Sequence, residues 1–103
     1  MTLKIIELEK NDEICKISVE GEMDINTYKK VKDKLNAIID EGSIDIELDF
    51  KNLSYIDSTG IGVLIGILKK LKKNEQSLVI KNARDNIKRL FSITGLDKIF
   101  ILQ

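Results

Sequence analysis

Between Ile44 and Phe50 the chain alternates strictly, with Ile44, Ile46, Leu48 and Phe50 set against Asp45, Glu47 and Asp49. A period of two is that of a strand with one buried and one wetted face. The same alternation sets Cys15, Ile17 and Val19 against Lys16, Ser18 and Glu20. It predicts a strand over 14–20, and residues 3–8 read as another. The short polar joint "EKNDE" between them predicts a hairpin. "GEMDIN" then breaks the pattern, and the period changes to that of a helix. Tyr28, Val31, Leu35, Ile38 and Ile39 fall at helical spacing, with Gly42 as the stop. A second helix is predicted in the apolar run "YIDSTGIGVLIGILKKLKK", residues 55–73. "LVI" at 78–80 is a strand, 85–93 a short helix capped by Asp85 and closed by Gly95, and "IFIL" a closing strand.

The order β-β-α-β-α-β-α-β predicts an α/β fold on a mixed sheet of about five strands. Strands separated by helices pair in parallel through right-handed crossovers. Parallel strands covered on both faces read as unbroken apolar runs. The acids between 44 and 50 therefore predict helices packed mainly on one face, with much of the other left to water. No internal repeat or low-complexity stretch divides the chain, and no proline suggests a linker, so 1–103 is expected to be a single domain.

Composition narrows the chemistry. Seventeen basic and seventeen acidic residues cancel, giving no electrostatic footprint for DNA or RNA. There is no apolar run of membrane-spanning length and no signal-peptide pattern. With Cys15 the only cysteine, a reducing cytoplasm is the expected compartment. The alternation around Cys15 makes it a small buried hydrophobe rather than a reactive thiol. Histidine is absent, which removes the commonest general base and the commonest nitrogen ligand for metals. No metal or cofactor is expected.

The second helix carries the candidate chemistry. At about 100° per residue, Ile61, Leu64, Ile65, Leu68 and Leu71 share one broad arc, the core face. Ser58, Thr59, Gly62, Gly66, Lys69, Lys70 and Lys73 fall opposite, with Val63 and Ile67 at the border, partly exposed. Two glycines inside a helix each cost roughly 1 kcal/mol against alanine. Either the helix packs closely on a neighbour there, or Gly62, Val63, Gly66 and Ile67 make a low strip on which a partner lies. The strip is favoured because the glycines share the serine's side. Ser58 itself reads as an N-cap, or, if Asp57 takes that place, as a residue of the first turn. A nucleophilic serine needs a positioned base, and without histidine only exposed lysines remain. A dinucleotide cradle over Gly60, Gly62 and Gly66 is off by one in spacing. It also lacks the acid about twenty residues on, where Ile80, Lys81 and Asn82 stand. A phosphorylated serine fits better. In the first turn the phosphate meets free N–H groups and the positive end of the helix dipole, and it adds about −1.5 to −2 charges beside the strip.

"YIDSTGIGVLIGILKKL" resembles the phosphorylation-site segment of bacterial anti-sigma factor antagonists, which are single STAS domains. The similarity runs along nearly the whole chain, through "VEGEMDINTYKKVKDKL", "IDIELDFKNLSYIDSTG" and "NARDNIKRLFSITGLDKIF". Such proteins are not enzymes. The resemblance implies a STAS-like fold and a cycle in which the unphosphorylated form binds an anti-sigma factor that is also a serine kinase, freeing the sigma factor. The kinase, using ATP and Mg²⁺, phosphorylates the antagonist and releases it, and a serine phosphatase restores it. By motif position the acceptor is Ser58, surrounded by Asp24, Asp57, Thr59 and Gly60. Met23 stands where the family usually has leucine. Two other roles share this fold, a scaffold subunit of a stress-signalling complex and a partner of a transporter. A nucleotide-binding module is the remaining alternative. The presence of the serine and the lack of an extra domain favour the antagonist.

Overall fold

The structure, a computed structural model, describes residues 2–103. Strands β1 (Leu3–Lys10) and β2 (Ile14–Met23) form the expected hairpin. Its turn is held by Asn11, whose Oδ1 accepts from the backbone N–H groups of Glu13 and Ile14 at 2.8 and 3.0 Å. Helix α1 (Tyr28–Glu41) leads to β3 (Asp45–Asp49) and β4 (Leu53–Ile56). Then follow α2 (Ser58–Lys73), β5 (Leu78–Lys81), α3 (Asp85–Ile93), a 3-10 turn (Leu96–Lys98) and β6 (Ile101–Leu102). The sheet runs β1-β2-β3-β5-β6, antiparallel only between β1 and β2, with β4 pairing beside β3 on the far end of β2.

Six strands replace the expected five, and the additional one is β4. Strand β2 is longer than its apolar alternation suggested and runs through "GEM" to Met23. Its first half pairs with β3 and its last residues with β4. The partner changes between Ser18 and Gly21, and the β4 pairing shifts register just after Gly21. Gly21 has φ of 103°, and a Cβ there would stand 2.3 Å from the carbonyl oxygen of Thr2. Only glycine fits a left-handed backbone under so close a neighbour. The closing strand is correspondingly shorter than "IFIL", because Phe100 is drawn into the core and Ile99 follows the 3-10 turn. The α3 N-cap position is Arg84, with Asp85 in the first turn, where a carboxylate still favours the helix dipole.

Cys15, Ile17, Val19, Ile46, Leu48, Leu78 and Ile80 are all buried on one sheet face against the helices. The opposite face is polar and half-exposed, as expected, and its side chains pair with one another. Lys81 pairs with Glu47 at 3.4 Å and Lys16 with Glu9 at 3.8 Å. The amide of Asn82 donates to Asp49, and Ser18, 6% exposed, donates to Glu20. Cys15 is fully buried, and desolvation, with the Glu7 carboxylate adding to it, pushes its thiol pKa up. A protonated, enclosed thiol is a packing group.

The three glycines at the start of α2 divide into two kinds. A Cβ on Gly60 would lie 2.8 Å from Ile56 Cγ1 and 3.0 Å from both Met23 Cγ and Met23 O. Around Gly62 and Gly66 it would meet nothing within 4 Å. Close packing therefore accounts for Gly60 alone. Gly60→Ala is expected to cost about 1–3 kcal/mol through overpacking. Gly62→Ala and Gly66→Ala should each raise stability by up to roughly 1 kcal/mol, through helix propensity. Urea unfolding of the three variants checks the difference in sign.

Candidate functional site

The site is assembled where β2 and β4 end side by side. Their register pairs Met23 with Ile56, so the residues that follow, Asp24 and Asp57, leave the sheet together. The N–H of Asp57 donates to Met23 O at 3.1 Å, which ties the two chain segments at this exit.

Asp57 then caps α2. In an extended conformation at φ −109°, it accepts with Oδ1 from the N–H groups of Thr59 at 2.9 Å and Gly60 at 3.1 Å. Two of the donors that a helix start leaves without partners are thereby satisfied. Of the two readings of Ser58, the structure thus has the one in which it is the first residue of the helix. The side chain is exposed, and among the described residues nothing bonds its hydroxyl.

Asp24 builds the turn before α1. Its Oδ1 accepts from the N–H of Asn26 at 2.8 Å, and its carbonyl accepts from Thr27 and Tyr28. Thr27 Oγ1 accepts from Asp24 N and donates to Glu22 O at 2.7 Å. Asp24 is only 2% exposed, and its Oδ2 has no partner among the described residues. Burying a carboxylate oxygen unpaired is costly, so the turn holds Asp24 inward against its own solvation.

Ser58 and Thr59 face two different hollows. Ser58 lines a cleft of about 360 Å³ between the start of α2 and α3, with Tyr55, Asn86 and Leu90. Thr59 opens a groove of about 340 Å³ between α1 and α2 that continues over Gly62, Val63 and Gly66 to Lys70, with Tyr28, Lys32 and Asn36 on the α1 wall. The expected strip residues Gly62, Val63 and Gly66 are thus brought together on one surface. Ile67 is corrected: it is 2% exposed and forms the groove's floor, not its border. A wheel centred on one core misses that α2 is covered from two sides, by the sheet and by α1. Tyr28 is also reassigned, from the apolar stripe of α1 to a half-buried place in the groove wall.

The α1 wall was not foreseen. Its signal was the i, i+4, i+8 row of Tyr28, Lys32 and Asn36, which is legible only once α1 is known to lie beside α2. The α3 side was missed for the same reason. Tyr55 is 47% exposed beside the Ser58 cleft, and Ile93, one turn beyond Leu90 on α3, is 75% exposed.

Among the described residues no group of three or more histidine, cysteine, aspartate and glutamate side chains is placed to hold a metal. Among them no helix is long and apolar enough to cross a membrane. What the geometry offers is an uncommitted hydroxyl on a rigid helix start, with a concave surface on either side.

Removing the Asp57 carboxylate should cost about 0.5–2 kcal/mol, the usual worth of a helix cap. In urea unfolding, Asp57→Ala is expected to lower the free energy of unfolding by that amount, whereas Ser58→Ala is expected to leave it within about 0.5 kcal/mol, as for surface positions without partners.

The STAS domain family matches residues 6–103. An anti-sigma-B factor antagonist of Staphylococcus aureus is 40% identical over 91 residues, covering 88% of this chain and 84% of that protein. Among solved structures, the anti-sigma factor antagonist SpoIIAA in its unphosphorylated form superposes with a TM-score of 0.82 at 21% identity, over 99% of this chain and 88% of that one. The Bacillus cell fate determinant SpoIIAA in its phosphorylated form gives 0.75 at 21% identity, over 99% and 91%. The chain belongs to the STAS domain family, among the anti-sigma factor antagonists.

Proposed function

We propose that this protein controls a sigma factor by partner switching. In its unphosphorylated form it binds an anti-sigma factor that is also a serine kinase, and so frees the sigma factor. Phosphorylation of Ser58 ends that binding, and a serine phosphatase restores it. The protein is the substrate and binder in this cycle, not the enzyme; ATP and Mg²⁺ belong to the kinase. It acts as a single STAS unit in the cytoplasm and needs no cofactor of its own.

The observation that carries the reading is the division of labour at the α2 start. Asp57 supplies the cap and Ser58 supplies nothing to the fold, so the hydroxyl is available to an incoming kinase. A phosphate at this position meets the positive end of the α2 dipole and N–H groups at the helix start. It also lies beside Asp57, which repels it. The first effect keeps the fold intact, and the second turns the new charge outward, toward a docked partner. The phosphorylated form of the Bacillus SpoIIAA neighbour shows that this fold accommodates the modification in that protein. Asp24, Asp57, Thr59 and Gly60 form the surroundings of the acceptor, and Gly62, Val63, Gly66 and Ile67 belong to the partner surface.

The reading is tested with the anti-sigma factor purified from the source organism. Ser58→Ala is expected to bind it as the wild type does and to take up no phosphate in the presence of ATP and Mg²⁺. Ser58→Glu should bind more weakly while melting at nearly the same temperature. Val63→Asp and Gly66→Arg should weaken binding at least tenfold without unfolding the protein. Wild-type phosphate incorporation by Ser58→Ala, or unfolding of Ser58→Glu, would overturn the surface switch.

A further inference from the structure

The groove between α1 and α2 carries a charge that the whole chain does not. Acidic and basic residues cancel overall, yet the charged side chains lining the groove are Lys32 on one wall and Lys70 on the other, with no carboxylate. Neither lysine forms an ion pair among the described residues. The pairs on the surface are Lys10–Glu41, Lys16–Glu9 and Lys81–Glu47. The Lys70 ammonium donates to the amide oxygen of Asn36, a neutral partner that positions it across the groove without cancelling its charge.

Shape adds a second constraint. The groove follows α2 from Thr59 to Lys70, roughly 16 Å at the helical rise per residue. That length suits about three turns of another helix. Gly62 and Gly66 leave open space where side chains would otherwise stand, so a backbone can approach closely. Val63, Ile67 and the ring of Tyr28 offer apolar surface beneath and beside it. The geometry points to an acidic, amphipathic helical segment of the anti-sigma factor as the occupant, its apolar side against Val63 and Ile67 and its carboxylates toward Lys32 and Lys70. This rests on the partner-switching reading and gives it a mechanism for release. A phosphate on Ser58, next to the Thr59 end of the groove, repels the same carboxylates that the lysines attract.

Exposed lysine–carboxylate pairs contribute little affinity singly. They act chiefly on the association rate, and salt screens them. The test is therefore kinetic, with the purified anti-sigma factor at low and high salt against wild type, Lys32→Glu/Lys70→Glu, Lys98→Glu and Gly66→Arg. Melting curves confirm folding, since both lysines are exposed. The double charge reversal is expected to slow association about tenfold or more at low salt, with the deficit shrinking at high salt. Lys98→Glu, outside the groove, should associate as the wild type does. If the double reversal associates at the wild-type rate or faster while Gly66→Arg abolishes binding, the groove docks the partner but its segment is not acidic, and the proposal fails. A loss unchanged by salt overturns it too, since the lysines then act by contact rather than charge. If Gly66→Arg also binds normally, the docking surface itself is wrong, and the broader reading of the α2 strip falls with it.

Discussion

One carboxylate oxygen sets the geometry of this site. By accepting from Thr59 and Gly60, Asp57 Oδ1 fixes the residue at which α2 begins. Ser58 consequently becomes the first helical residue, and its hydroxyl has no structural duty. Gly60 enters the first turn, pressed against Met23 and Ile56, which locks the helix start to the ends of β2 and β4. Asp57 is itself held by its N–H bond to Met23 O. Cap, helix start and strand ends therefore form one rigid unit, and the Ser58 hydroxyl is carried on it without being part of it.

The glycines of α2 show how a single sequence feature serves two ends. Gly60 is a packing residue, while Gly62 and Gly66 sacrifice helix propensity for an open surface. Within a cooperative fold that sacrifice is tolerable, because α2 buries Ile61, Leu64, Ile67, Leu68 and Leu71. Each fully buried aliphatic side chain of this size contributes on the order of 1.5–3 kcal/mol, enough to hold the helix despite the glycines. The lysines along the groove, Lys32 and Lys70, then give the opening a sign of charge.

Much of this was legible in the sequence. Period-two alternation located β2 and β3, helical spacing located α1 and α2, and the wheel of α2 put Ser58, Gly62 and Gly66 on the outside, as the structure has them. What escaped depended on partners that no local pattern encodes. Strand β4 is four residues long, with two exposed positions between two buried ones, and it pairs because β2 runs on past its pairing with β3. Ile67 reads as a border residue until α1 is laid against α2. The α1 wall of the groove and the α3 side of the Ser58 cleft are invisible for the same reason, since each joins elements distant in the chain.

The central claim, that modification of Ser58 changes a surface and not a fold, is tested most directly by amide hydrogen exchange on the protein with and without phosphate at Ser58. The account predicts unchanged protection across the sheet and along α2 beyond its first turn, with differences confined to residues around 57–60. Loss of protection through α2 or the β2–β4 pair on phosphorylation would contradict it, and would make the switch an unfolding of the docking helix.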